Sequence, residues 1–200
     1  MYAKVVNLRI ELRSARRGLS AEQQEEHALA VSAHLLCSNV FSSATCVAVY
    51  FSSDGEVDLA PVIEKLHSDG IKLVAPRIEG LEMAFFPFNP SDTLLENQWG
   101  IKEPEVGISI EEAEMSVALV PLVAFTEDGD RLGRGKGFYD RYFTVGDTLL
   151  IGIGHEIQRV DSIERNTWDR RLDAVVTEKG WDICSSRAAA CIQHACGDSK

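Results

Sequence analysis

The stretch "SVALVPLVAFTEDGDRLGRGKGFYDRYF", Ser116–Phe143, sets the architecture of this 200-residue chain. Ser116–Pro121 is an apolar, β-branched run that reads as a strand. It leads straight into a loop in which Gly133, Gly135 and Gly137 alternate with cations, and "GFYDRYF" reads as the first turns of a helix. Strand, glycine-rich loop and helix in immediate succession are the unit from which parallel α/β sheets are built. The loop is also an electrical anomaly. The protein has 20 Lys and Arg against 31 Asp and Glu, net −11, yet Arg131, Arg134, Lys136 and Arg141 fall within 14 residues of it.

The same alternation extends outward. Val5, Leu8, Leu12 and Ala15 form one helical stripe, with Arg9, Arg13, Arg16 and Arg17 largely elsewhere, and Gly18 ends that helix. Ser20 with Gln23 is a capping box opening a second helix to about Leu36. "TCVAVYF", Thr45–Phe51, is a buried strand, "SSDGEVD" the loop after it, and Leu59–Gly70 a helix closed by glycine. Ile71–Pro76 and Leu81–Phe88 are further strands, the latter near an edge because Pro87 lacks a donor. Asn89–Glu114 is loop-rich. Thr148–His155 and Leu172–Thr177 close a mainly parallel sheet. The expectation is one α/β domain over 1–185, a sandwich with ligands beyond the carboxyl ends of the strands, and a weakly structured tail over 186–200.

Composition excludes several classes. No apolar run approaches the ~20 residues of a membrane span, and the N-terminus lacks a secretory pattern, so a cytoplasmic protein without a membrane partner is expected. Five cysteines with no C-x-x-C fit thiols in a reducing compartment, and the spacing of a zinc site is missing. Strong negative charge argues against nucleic acid as a partner.

The basic loop suits a phosphate. Glycines allow positive φ and close approach of backbone N–H groups, a helix N-terminus adds roughly half a positive charge, and Arg134 and Lys136 add full ones. It is neither a Walker loop nor G-x-G-x-x-G, and a solvated basic turn is the competing interpretation. His155 and Glu156, adjacent and unable to share a helix face, read as loop residues.

Val120–Phe143 resembles the signature of the 5-formyltetrahydrofolate cyclo-ligase family, also called 5,10-methenyltetrahydrofolate synthetase. "LRSARRGLS", "VAVYFSSDGEVD", "VAPRI", "WGIKEPE" and "WDRRLDAVVTEKGW" resemble other blocks of the same family, and only about the last 15 residues find no counterpart. The resemblance implies a Rossmann-like three-layer α/β sandwich acting on small molecules, here expected to be a monomer. It implies a reaction in which ATP and 5-formyltetrahydrofolate, with Mg²⁺, give 5,10-methenyltetrahydrofolate, ADP and phosphate.

For this sequence, the resemblance implies that Arg134 and Lys136 serve the phosphoryl transfer. The nucleotide would be held by Arg9, Arg131, Gly133, Arg134, Gly135, Lys136, Gly137, Phe138 and Tyr139. Val5 stands at the family's lysine position and Lys4 lies one residue earlier, which makes Lys4 the candidate to reach ATP. Thr126 stands where Asp is common. Glu56 would hold the pterin, with Phe51, Trp99, Arg134, Phe138 and Tyr139 around the substrate, and Asp140 and Asp169 would bind Mg²⁺. Plainer roles remain open. Glu56 is also an acid in a turn, Phe51 and Trp99 core residues, Phe138 and Tyr139 anchors of the helix, Asp140 a partner of Arg131 or Arg141, and Asp169 a cap. Two other functions compete: a sugar-phosphate isomerase or acyl-CoA transferase on a related sheet, and a non-catalytic nucleotide- or folate-binding module.

Overall fold

The computed structural model of the chain describes residues 2–105, 107–144, 146–164 and 169–192. In chain order the elements are α1 (Tyr2–Arg17), α2 (Ala21–Leu36), β1 (Cys46–Ala48), α3 (Ala60–Ser68), β2 (Lys72–Glu79) and β3 (Glu82–Pro87). Then come β4 (Leu94–Glu96), β5 (Lys102–Pro104), β6 (Val117–Pro121), β7 (Ala124–Phe125), β8 (Arg131–Leu132) and α4 (Phe138–Tyr142). The last are β9 (Leu149–Ile153), β10 (Ala174–Thr177), β11 (Gly180–Ile183) and α5 (Ser186–Cys191).

The main sheet has seven strands in the order β3-β2-β1-β6-β9-β10-β11. The five inner strands are parallel, and the edge strands β3 and β11 are antiparallel to their neighbours. Taken alone, the parallel strands run second-first-third-fourth-fifth across the sheet, one of the two common doubly wound orders. The strand order reverses between β1 and β6, so the crevice beyond their carboxyl ends is where such a fold receives a ligand.

Alternation along each inner strand divides the core in two. Val47, Val117, Leu119, Leu149, Ile151, Ala174 and Val176 face one side, where α2 presents Ala28, Val31 and Leu35, and α3 presents Val62, Ile63 and Leu66. Cys46, Ala48, Ala118, Val120, Leu150 and Val175 face the other, against Phe85, Ile110, Met115 and Phe143. Apolar residues on both faces explain why these strands read as continuous hydrophobic runs. The second layer is thinner than the first. Its helix, α4, has five residues, and the irregular segment around Ile110 fills the remainder.

Local signals fix the helix ends. Gln23 N–H donates to Ser20 Oγ at 3.2 Å and Ser20 N–H to Gln23 Oε1 at 3.0 Å, which is the capping box expected for α2. At the end of α3, Gly70 adopts φ +78°. The N–H groups of Gly70 and Ile71 return to His67 and Leu66 carbonyls, a Schellman closure. In the stretch expected to be a weak tail, Ser186–Cys191 form α5 with Ala188 buried, and residues 193–200 lie outside those described.

Helix α1 does not lie on a sheet face. Its Leu12, with Val5 and Leu8, packs against Val123, Ala124 and Leu132 of the small β7–β8 hairpin, which projects beyond β6. That docking sets the arginines of α1 over the crevice.

Candidate functional site

The crevice holds a cavity of about 320 Å³. Its walls come from the loop after β1 (Tyr50, Phe51, Ser53, Glu56), the basic loop (Arg131, Gly133, Arg134, Lys136, Gly137), the start of α4 (Phe138, Tyr139, Asp140) and the β4–β5 turn (Trp99, Ile101). Arg9 reaches the same loop. Its Nε donates to Gly133 O at 2.9 Å and its guanidinium packs against Gly135, where a Cβ would come within 3.5 Å of Arg9 Cζ. The structure thus brings together Arg9, Phe51, Glu56, Trp99, Arg131, Gly133, Arg134, Gly135, Lys136, Gly137, Phe138, Tyr139 and Asp140. Lys4 lies on α1, and its side chain is outside what is described.

The loop after β1 is a tight turn in which Asp54 (φ +56°) and Gly55 (φ +73°) are both left-handed, closed by Glu56 N–H donating to Ser53 O at 3.1 Å. Gly55 suits the left-handed φ and sits close to α1, since a Cβ there would lie 3.2 Å from Arg16 O. Tyr50 braces the loop by donating its hydroxyl to Val57 O at 2.9 Å. The turn points Glu56 inward. Only 7% of its side chain is exposed, and Oε1 accepts from Arg134 at 2.9 Å while Oε2 accepts from Ser53 N–H at 3.2 Å. Burial pushes the Glu56 carboxyl up from its ordinary value, against the pull of Arg134, Arg16 and the Ser53 N–H.

Arg16 is the principal residue that the sequence concealed. Expected off the apolar stripe, it is fully buried. Its Nε donates to Asp54 O at 2.9 Å, Nη2 to Asp54 Oδ2 at 2.9 Å and Nη1 to Leu122 O at 3.0 Å, with Glu56 Oε1 3.8 Å away. One guanidinium therefore ties the end of β6 to the turn after β1, across the strand-order reversal. Burial pulls Arg16 down from its ordinary value, and the carboxylates of Glu56 and Asp54 oppose that shift. Asp54 is pushed up by burial, but Arg13, Arg16 and Arg134 outweigh this and hold it below its usual value. One signal was available: Arg16 stands four residues after Leu12, on the same helical stripe. Its partners, 38 and 106 residues away, left no local trace.

A second buried arginine anchors the other wall. Arg131 is 5% exposed, and its guanidinium donates to Asp140 Oδ1 at 2.5 Å and to Arg170 O at 2.6 Å. Burial pulls Arg131 down, opposed by the charges of Asp140 and then Asp169, so both acids lie within electrostatic reach of this guanidinium. Tyr139 is partly buried against Phe85 and Phe143, and desolvation raises its hydroxyl far above the ordinary range. Phe138 lies under the Arg141 guanidinium at 5.3 Å. Phe51 meets Phe88 edge-on at 5.1 Å, so it is a core residue as well as a wall of the cavity.

The β4–β5 hairpin was not expected within the loop-rich segment. Glu103 joins it to β2 by accepting from Ile78 N–H at 3.1 Å, and Asn97 shapes the turn by accepting from the N–H groups of Trp99 and Ile101. The turn carries Trp99 at the mouth of the cavity with 48% of its surface exposed. A large aromatic held in water at a pocket rim is poised to cover a planar ligand.

Known proteins resemble this chain in sequence and fold. The model of the 5-formyltetrahydrofolate cyclo-ligase family matches residues 2–178. The 5-formyltetrahydrofolate cyclo-ligase of Escherichia coli K12 is 34% identical over 180 residues, covering 86% of this chain and 99% of that protein. The enzyme of the same name from Haemophilus influenzae is 30% identical over 170 residues, covering 81% and 91%. The NMR structure of Aquifex aeolicus 5,10-methenyltetrahydrofolate synthetase superposes with a TM-score of 0.82 at 30% identity, over 91% of this chain and 93% of that one. A family match that begins in α1 and ends in the β10–β11 turn takes in every wall of the cavity, and the chain belongs to the 5-formyltetrahydrofolate cyclo-ligase family.

Proposed function

We propose that the protein is an ATP-dependent ligase that converts 5-formyltetrahydrofolate to 5,10-methenyltetrahydrofolate with release of ADP and phosphate. The observation that carries this reading is that one pocket joins an anion-binding loop to a buried carboxylate, with Arg134 touching both groups of walls. Glu56 offers two oxygens to paired N–H donors of a pterin, and Phe51 and Trp99 offer apolar faces to its ring. Gly133–Gly137, with Lys136 exposed in the cavity wall, offer backbone N–H groups and charge to a triphosphate.

In the chemistry proposed, the formyl oxygen attacks the γ-phosphorus and ADP leaves. Nitrogen 10 then attacks the formyl carbon and loses its proton. The carbon–oxygen bond breaks, so the formyl oxygen departs with the phosphate and the ring closes. The chain's contribution is positioning and charge neutralisation by Lys136 and Arg134.

Asp140 and Asp169 suit Mg²⁺ in donor type. Asp140 follows the basic loop and Asp169 lies within electrostatic reach of Arg131, which engages Oδ1 of Asp140 and not its other oxygen. Bound there, the ion would neutralise phosphate charge that the arginines do not reach. No helix among the described residues is long and apolar enough to cross a membrane. The proposed enzyme acts on small molecules as a cytoplasmic monomer.

The test is direct. Purified protein with Mg·ATP and 5-formyltetrahydrofolate should generate the near-ultraviolet absorbance of the methenyl product. Folded protein that yields none at high enzyme concentration overturns the proposal. Stabilisation by phosphosugars or coenzyme A would favour another enzyme on this sheet, and binding without turnover a non-catalytic module.

A further inference from the structure

His27 on α2, His155 just past β9 and Glu178 in the β10–β11 turn are 128 and 23 residues apart in sequence, yet their side chains converge. His27 Nδ1 and His155 Nδ1 are 2.9 Å apart, His27 Nδ1 and Glu178 Oε2 3.7 Å, and all the ligand atoms lie within 4.8 Å of one another. None of the three lines the cavity described above.

The hydrogen bonds settle where the protons are. His155 Nε2 stands 3.0 Å from Gly55 O, which can only accept, so Nε2 carries the proton and Nδ1 holds a lone pair. That lone pair faces His27 Nδ1, which must therefore donate. His155 is fully buried, and burial, the largest influence on it, favours the neutral ring. A buried imidazole fixed through its far N–H by a backbone carbonyl, with its near lone pair aimed at a second imidazole and a carboxylate, has the arrangement of a metal ligand and its supporting shell.

We propose that His27, His155 and Glu178 bind a divalent transition metal of the zinc class. Two imidazoles and a carboxylate are the donor set of open tetrahedral zinc sites, whereas magnesium favours oxygen alone. Metal–ligand distances of about 2.0–2.2 Å place ligand atoms about 3.4 Å from one another in a tetrahedron, and side-chain rotation reaches this from the observed separations. On binding, His27 shifts its proton from Nδ1 to Nε2. The histidine–histidine hydrogen bond then gives way to two metal–nitrogen bonds. Glu178 Oε2 also accepts from Glu156 N–H at 2.9 Å, which holds the carboxylate in place. The His27 and Glu178 side chains are 17% and 12% exposed, which leaves a route for the ion and a fourth position for water. The metal would tie α2, β9 and the β10–β11 turn to the Gly55 turn.

This site is independent of the folate-ligase reading, and its test uses no substrate. Chelator-stripped full-length protein is titrated with Zn²⁺ by calorimetry and with Co²⁺ by visible absorption. The expected result is one equivalent bound at micromolar affinity or tighter, tetrahedral cobalt bands without a thiolate charge-transfer band, and a melting temperature that rises with Zn²⁺. His27→Gln and Glu178→Gln should each weaken binding by at least about tenfold, since even loss of a supporting partner costs that much. Absence of stoichiometric binding in the wild type overturns the proposal. So does a thiolate band, which would point to cysteine ligands, or unchanged affinity in either folded variant.

Discussion

Replacing Arg16 by Met tests the tie between β6 and the turn after β1 without reference to any ligand. Methionine keeps most of the apolar volume and removes the guanidinium. Removing one partner of a buried ion pair commonly costs about 3–5 kcal/mol. The surroundings place this case at the low end. Asp54 keeps Arg13 at 2.8 Å and Arg17 at 3.5 Å, Glu56 keeps Arg134 at 2.9 Å, and Leu122 O keeps Gln158 Nε2 at 2.8 Å. A loss of about 3 kcal/mol at pH 7 follows, or roughly 6–12 °C in melting temperature for a domain of this size.

The loss should also depend on pH. In the folded state Glu56 already lies above its ordinary value of 4.5, so its contribution to stability is fully present below that value and falls as pH rises through the raised one. Without Arg16 the folded value rises further, while Asp54, held low partly by Arg16, loses some of its depression. The Glu56 change makes the variant fare relatively better as pH falls, so the deficit at pH 5 should be smaller than at pH 7, whereas the Asp54 change acts only below its ordinary value of 3.8. Urea titrations of both proteins at the two pH values, followed by circular dichroism, measure this. A deficit below about 1 kcal/mol at pH 7 with an unchanged m-value, or one equal at both pH values, would refute the role assigned to Arg16.

Lys136→Ala should lower turnover by about 10²-fold or more and leave denaturation midpoints nearly unchanged, because the side chain is exposed in a loop; steady-state kinetics beside a urea titration checks both. Glu56→Gln should weaken folate binding by about 2 kcal/mol while ATP affinity holds, as read by calorimetry with each ligand, since the amide presents a donor where the pterin also donates. Asp140→Asn should raise the Mg²⁺ concentration for half-maximal rate and also lower stability through the loss of the charge facing buried Arg131; a magnesium titration and a thermal melt separate the two effects. Gly129→Ala should be destabilising by several kcal/mol in a urea titration, because φ is +84° and the new Cβ would lie 2.6 Å from Leu172 O.

How far the sequence disclosed the structure followed the range of the forces involved. The inner strands were legible because both faces are covered, so Val47–Val49, Val117–Val120 and Leu149–Ile153 carry no polar interruption. Helix α2 was legible from a cap contained within four residues. The β4–β5 and β7–β8 hairpins were not, since strands of two or three residues carry too few side chains to show a period. β11 was hidden for a related reason: as an edge strand it buries little. At the site, the basic loop announced itself by composition. The basis for Glu56 was a resemblance, and its burial and its contact with Arg134 are visible only in three dimensions. The placement of Arg16, and the meeting of His27 with His155, rest on contacts spanning 38 to 128 residues, which no local pattern records.

The position of α1 has a consequence for how the protein is made. Its residues leave the ribosome well before their partners, because the groups that receive Arg9 and Arg16 are Gly133 O and Leu122 O, 124 and 106 residues later. At about 5–20 residues per second, synthesis separates the helix from those partners by about 5–25 s. The helix therefore waits with its Leu8 and Leu12 side chains in water until the β7–β8 hairpin exists, and its four arginines keep that interval soluble. Docking of α1 is then a late step of assembly, and the pocket it roofs exists only after that step.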